Sequence, residues 1–236
     1  MEPLYESKIE CICCETTFAT SRVRPSFKRA STTDSDFCGH YANGINPDFY
    51  VVRVCPHCGF ASTENGLDKL SDAQKMLYYE RIGMNWKGGD FNGERSRETA
   101  MYCYKLALLT AQTTGAKDRV IAGLLHHIAW LYRYEGNKIE ERRFLAHALE
   151  SYVRVYETEG VSLNNARLMF LIGELNRRVG NDKEAVKWFS RIINDKRIMD
   201  AAMIRASREQ WQLIREEAML REDGNNEDFS QAVTSA

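Results

Sequence analysis

Proline is scarce and unevenly spread: Pro3, Pro25, Pro47 and Pro56 are the only four, and none follows in the remaining 180 residues. Proline lacks an amide hydrogen and its ring clashes with the preceding helical turn, so helices are permitted throughout the long stretch without it. The part up to Pro56 reads as strands and loops, and the rest as helix. Long apolar runs are also missing. None approaches the ~18–20 residues needed to cross a bilayer. The start, Met1-Glu2-Pro3-Leu4-Tyr5-Glu6, lacks the basic-then-apolar order of a secretion signal. No membrane partner and a cytoplasmic location are the expectations. In that reducing setting the seven cysteines are expected free or metal-bound rather than disulfide-paired. A basic excess is absent too. Residues 1–70 carry 7 Lys/Arg and 9 Asp/Glu (−2), residues 71–221 carry 25 and 20 (+5), and residues 222–236 carry 0 and 4 (−4), which sum to the net −1. No segment has the surplus that a nucleic-acid-binding domain brings.

Cysteine, by contrast, is present in a pattern. Cys11-Ile12-Cys13-Cys14 and Cys55-Pro56-His57-Cys58 are two Cys-x-x-Cys turns. Such a turn brings two sulfurs to one ion at roughly 2.3 Å, and two of them complete a tetrahedral Zn²⁺ site. Gly59 suits the second turn, since it tolerates positive φ where backbone amides swing toward sulfur. The expected ligands are therefore Cys11, Cys14, Cys55 and Cys58, holding a structural zinc. An iron centre in the same four cysteines, or a redox dithiol, are the alternatives. Four cysteines close the coordination sphere, whereas a catalytic zinc keeps a position open for water. Cys13, Cys38, His40 and His57 are spare donors nearby. Cys38-Gly39-His40 either replaces a knuckle cysteine, joins a second metal, or consists of a small buried thiol and a surface histidine. Asp34 and Asp36 read as turn caps before Phe37 rather than an acid/base pair.

The zinc-ribbon-like module is assigned to residues 1–66. Phe49-Tyr50-Val51-Val52-Arg53-Val54 reads as a strand feeding the second knuckle. Arg22, Arg24, Lys28 and Arg29, with Phe27 among them, form a basic cluster that either contacts phosphates or is an ordinary solvated loop, and the module's net −2 weighs against nucleic acid. A helical domain is assigned to 71–221, opened by Ser71 as an N-cap. The glycine-rich stretch Gly83–Gly93 lacks Gly-Lys-Ser/Thr and a leading strand, so it reads as a connector rather than a phosphate loop. Helices then run to Gly115, Gly136, Gly160 and Gly180, which are 21, 24 and 20 residues apart. Stop glycines at such intervals describe stacked antiparallel hairpins. In the last hairpin Gly173 and Ala185 have to be small where helices touch, with Phe189 filling the space beside the next repeat, as in a tetratricopeptide repeat. In that register His126, Trp130, Arg133, Arg167, Phe170, Glu174 and Arg177 line a concave groove for a protein or peptide; packing in the core is the other reading for Trp130 and Phe170. Cys103 reads as buried packing. Residues 222–236 have no periodicity and read as a disordered acidic tail.

The string Asp34-Ser35-Asp36-Phe37-Cys38, Tyr41, Asn46-Pro47, Tyr50 and Val54-Cys55-Pro56-His57-Cys58-Gly59-Phe60-Ala61, with Cys11-x-x-Cys14 ahead of it and helical repeats behind, resembles a bacterial family, domain-of-unknown-function family 2225. The resemblance spans about residues 5–220. It implies a cytoplasmic, metal-binding bacterial protein with a tetratricopeptide-like C-terminal half, and it brings no activity. The chain departs from the family's usual first knuckle, which has proline inside it, by carrying Cys13 beside Cys14. The expected class is mainly α: a small β/loop zinc module followed by helical repeats. The expected role is a non-enzymatic interaction protein. The alternatives are a nucleic-acid-associated protein using the 22–29 loop and, third, a metal- or thiol-dependent enzyme, for which no nucleophile–base constellation is apparent.

Overall fold

A computed structural model of the chain describes residues 2–42, 44–159 and 165–234, with side chains outside the description at 159 and 222–234. It forms two compact units, Met1–Tyr152 and Val153–Ala236. The first holds three two-stranded antiparallel sheets. β1 (Leu4–Glu10) pairs with β2 (Thr17–Val23), Leu4 lying opposite Val23 and Glu10 opposite Thr17. β3 (Thr32–Thr33) pairs with β4 (Gly39–His40), and β5 (Arg53–Val54) with β6 (Ala61–Ser62). Cys11–Cys14 sit in the turn between β1 and β2, and Cys55–Cys58 in the turn between β5 and β6. Each knuckle is thus the tip of a hairpin.

The strand expected over 49–54 is confined to Arg53–Val54. A 3-10 turn occupies Pro47–Tyr50. Asn46 caps it by accepting the Asp48 amide at 2.9 Å, and Pro47 fits the first helical position because its missing amide hydrogen is not needed there. The carbonyls of Phe49 and Val52 then point to Arg95 instead of to a neighbouring strand. Local capping and a buried cation override the β propensity of this run.

The helices are α1 (Asp72–Arg81), α2 (Arg97–Thr113), α3 (Asp118–Glu135), α4 (Lys138–Glu159), α5 (Ala166–Arg178), α6 (Asp182–Asn194) and α7 (Ala201–Thr234). The protein is mainly α, as its sequence implies. Ser71 does cap α1, in a reciprocal box: its Oγ accepts the Gln74 amide at 3.3 Å while Gln74 Oε1 accepts the Ser71 amide at 2.9 Å. Gly115, Gly136 and Gly180 have positive φ at helix ends; Gly160 lies outside the described residues. The acidic segment 222–236, expected to lack order, falls on residues whose side chains are outside the description. In the second unit, α5 packs on α6, and both pack on α7. A Cβ added to Gly173 would come 2.7 Å from the Phe189 ring. The need for a small residue there stands, and Phe189 fills its space against Gly173 and Phe170 inside this unit.

Candidate metal centre

The two knuckles repeat one backbone design. The Cys11 carbonyl accepts the Glu15 amide at 2.8 Å, and the Cys55 carbonyl accepts the Gly59 amide at 2.8 Å. The Cys11 amide donates to Thr16 O and the Cys55 amide to Phe60 O. The residue just past the second cysteine has positive φ in each, +60° at Glu15 and +77° at Gly59. Glycine is required at 59 for a second reason: a Cβ there would sit 2.5 Å from the Trp86 indole. Trp86 Nε1 donates to Pro56 O at 2.9 Å, and Tyr78 Oη donates to Cys58 O at 3.0 Å. The glycine-rich connector and α1 therefore hold the second knuckle from outside. Cys11, Phe18, Cys55, Phe60, Leu70, Tyr78 and Ile82 form one buried apolar cluster around the sulfurs.

The Cys11 and Cys58 sulfurs are 3.6 Å apart, those of Cys14 and Cys55 are 3.7 Å apart, and all four lie within 4.8 Å of one another. Sulfurs arranged tetrahedrally at ~2.3 Å from an ion are about 3.8 Å apart, so the donor set fits a divalent metal. The electrostatics agree. The hydrogen bond to Cys58, and then burial, push the Cys11 thiol far up. Burial and the neighbouring sulfur of Cys11 push Cys55 up to about 11. Burial raises Cys14, but hydrogen bonds to Thr16, Cys58 and Cys55 together outweigh it and bring the thiol down to about 7. Four thiolates cannot share this volume unaided, and a bound cation reverses the balance by neutralising them. The four-cysteine cluster can hold a metal ion.

The remaining donors go elsewhere. Cys13 is half-buried against the same apolar cluster without belonging to the four. Cys38 is fully buried and donates to Tyr134 Oη at 3.4 Å. His40 Nε2 meets Asp34 Oδ1 at 2.9 Å, and His57 is exposed. Among the described residues no second group of three or more such donors converges on a point.

Three of the residues expected in a partner groove turn inward. Asp36 has no exposed surface. Arg133 grips its carboxylate through Nη1 at 2.8 Å and Nη2 at 2.6 Å, while His126 Nε2 and Trp130 Nε1 meet Asp36 Oδ2 at 3.2 and 3.1 Å. Arg133 also reaches Asp34 at 2.6 Å and Glu141 at 2.7 Å. His126 and Trp130 are buried, so neither they nor Arg133 are offered to a ligand. This corrects two expectations at once. Asp34 and Asp36 do stand at a turn, closed by the Phe37 amide on Asp34 O, but their carboxylates tie that turn to α3 instead of capping it. In the second unit Phe170 and Glu174 are buried and Glu174 is paired with Arg177 and Arg178, which leaves Arg167 as the exposed member of that set. The polar residues of α3 were read as a groove because their partner lies about ninety residues away in sequence, as with Asp36 and His126. A further buried cation gave no sequence signal: Arg95 donates to the carbonyls of Phe49, Val52 and Phe91 and lies over the Tyr50 ring.

The model of a family described as an uncharacterized protein conserved in bacteria (DUF2225) matches residues 4–214. The chain belongs to this family. The match takes in both knuckles, the Asp34–Cys38 turn and α1 through α6, so the cysteine cluster and the helices are parts of one family unit. No curated protein and no solved structure matches the chain. Among the described residues no helix is long and apolar enough to cross a membrane.

Proposed function

We propose that this DUF2225 member is a non-enzymatic interaction protein whose four cysteines hold a structural Zn²⁺. The observation that carries the reading is the closed set of four sulfurs, 3.6–3.7 Å apart in its nearest pairs, seated on an apolar cluster. Soft thiolates in a tetrahedron favour zinc, and four of them leave no position for a reacting water. The metal's role is then to fasten two hairpin tips, each too small to hold itself, onto α1. Removing one ligand tests it. Cys55→Ser is expected to purify with no bound zinc and to unfold well below the wild-type temperature. Full metal occupancy and unchanged stability in that variant would contradict the reading.

The partner is a protein or peptide. In support, Met76 and Tyr79 lie three residues apart on α1 with Met84 just beyond, and all are more than half exposed at 64, 60 and 65%. Large apolar side chains left in water on one helix face are typical of interaction surfaces. Capture from a bacterial extract by the wild-type protein, and its loss with Met76→Glu/Tyr79→Glu at unchanged zinc content, is the expected outcome. Retention of the same proteins by the double variant would contradict this surface.

A further inference from the structure

A second concave site lies in the first unit, away from the four sulfurs. It is a cleft of about 310 Å³ whose walls include Arg22, Lys28, Arg53, Tyr41, Tyr50 and Asn65. Three cations from three separate segments border it. Arg22 is on β2, Lys28 follows the turn after β2, and Arg53 is on β5. Their charge is only partly answered. Glu64 pairs with Arg22. Asp48, also on the wall, sends its carboxylate to Tyr134 Oη at 3.2 Å and toward His127. Arg53 Nε is buried and has no hydrogen-bond partner. A buried donor without an acceptor costs about 1–3 kcal/mol, more when it is charged, and an ion or ligand is one way to satisfy it. Two arginines and a lysine bordering one cleft are an arrangement that suits an oxyanion.

We propose that this cleft binds a small phosphorylated ligand, with the phosphate oxygens taken by the guanidinium groups of Arg53 and Arg22 and the ammonium of Lys28. Its size is at the lower end of small-molecule sites, ~300–1,000 Å³, which suits a phosphate and a short attached group and leaves no room for a folded macromolecule. Val23, Pro47 and Val51 supply the apolar part of the wall. Arg53 directly precedes Val54 and Cys55, so the strand that presents the guanidinium also leads into the second knuckle. This site needs no metal ligand as a contact, and it stands or falls separately from the zinc reading.

The test is calorimetric titration of the intact, metal-loaded chain with inorganic phosphate, pyrophosphate and a single-stranded ten-nucleotide DNA. Saturable binding of phosphate or pyrophosphate at one site per chain is expected. Arg53→Gln should weaken it at least about tenfold, the loss of one charge-assisted contact, with zinc content unchanged. Should Arg53→Gln fail to fold, Lys28→Gln on the exposed rim should weaken binding by roughly threefold to tenfold. Absence of binding at millimolar pyrophosphate, or binding that neither variant weakens, overturns the proposal. Binding of the DNA with a steep salt dependence but none of pyrophosphate overturns it too, in favour of a nucleic-acid surface on the 22–29 segment.

Discussion

Positive φ beside the knuckles sets the first test at the residue scale. Gly59 and Gly88 both have positive φ, +77° and +82°, but a Cβ at 59 meets Trp86 whereas one at 88 meets nothing within 4 Å. Gly88→Ala is expected to cost about 1–2 kcal/mol, the left-handed penalty alone. Gly59→Ala should cost a further ~1–3 kcal/mol from overpacking against the indole. Urea unfolding of the two variants separates the terms, and equal losses would mean that Trp86 moves freely. Asp36 gives the second test. Asp36→Asn leaves Arg133 and His126 without their buried anion, and breaking such a pair costs about 3–5 kcal/mol. Zinc content should not change, because Asp36 is not among the ligands. His126 adds a pH signature. Burial holds its pKa below the ordinary value, with Asp36 opposing and the charges of His127 and Arg133 assisting. The folded state keeps the ring neutral while the unfolded chain protonates near pH ~6.5, so stability is full above that value and declines as pH falls below it. The urea midpoint should drop between pH 7 and pH 5, and His126→Gln should flatten that drop. An unchanged slope in the variant would show that other groups carry it.

Among the elements, the helices were the legible part. Ser71, Gly115, Gly136 and Gly180 mark helix ends through local chemistry that involves only a few neighbouring residues, and the structure uses them so. The strands were less legible. The run from Phe49 to Val54 has strand-forming residues, yet Asn46, Pro47 and the distant Arg95 decide its shape. The inner polar face of α3 was misread for the same reason, as Asp36 lies ninety residues from His126 and no local pattern reveals the pairing. Close helix contacts were read correctly because they demand small residues. Gly173→Ala should destabilise by about 1–3 kcal/mol despite alanine's better helix propensity, since the new methyl meets Phe189, which has no exposed surface. Gly123→Ala, mid-helix in α3 with nothing within 4 Å, should instead stabilise by ~0.5–1 kcal/mol. Chemical denaturation of the pair reads the sign directly, and the same sign in both would contradict this account of the α5–α6 contact.

At the scale of the molecule, four sulfurs from two hairpin tips 41–47 residues apart in sequence form one site. That site was the most legible feature of the chain, because Cys-x-x-Cys spacing encodes its own geometry. Its surroundings were not, since Tyr78 and Trp86 reach it from later segments through single hydrogen bonds. The apolar cluster of the first unit surrounds that site. The most direct measurement is metal per chain in protein purified under reducing conditions, by elemental analysis alongside native mass spectrometry. The account predicts one zinc per chain, released as the four thiols are titrated by a mercurial. A metal-free chain that is fully folded, two metals per chain, or bound iron with visible absorption would contradict it.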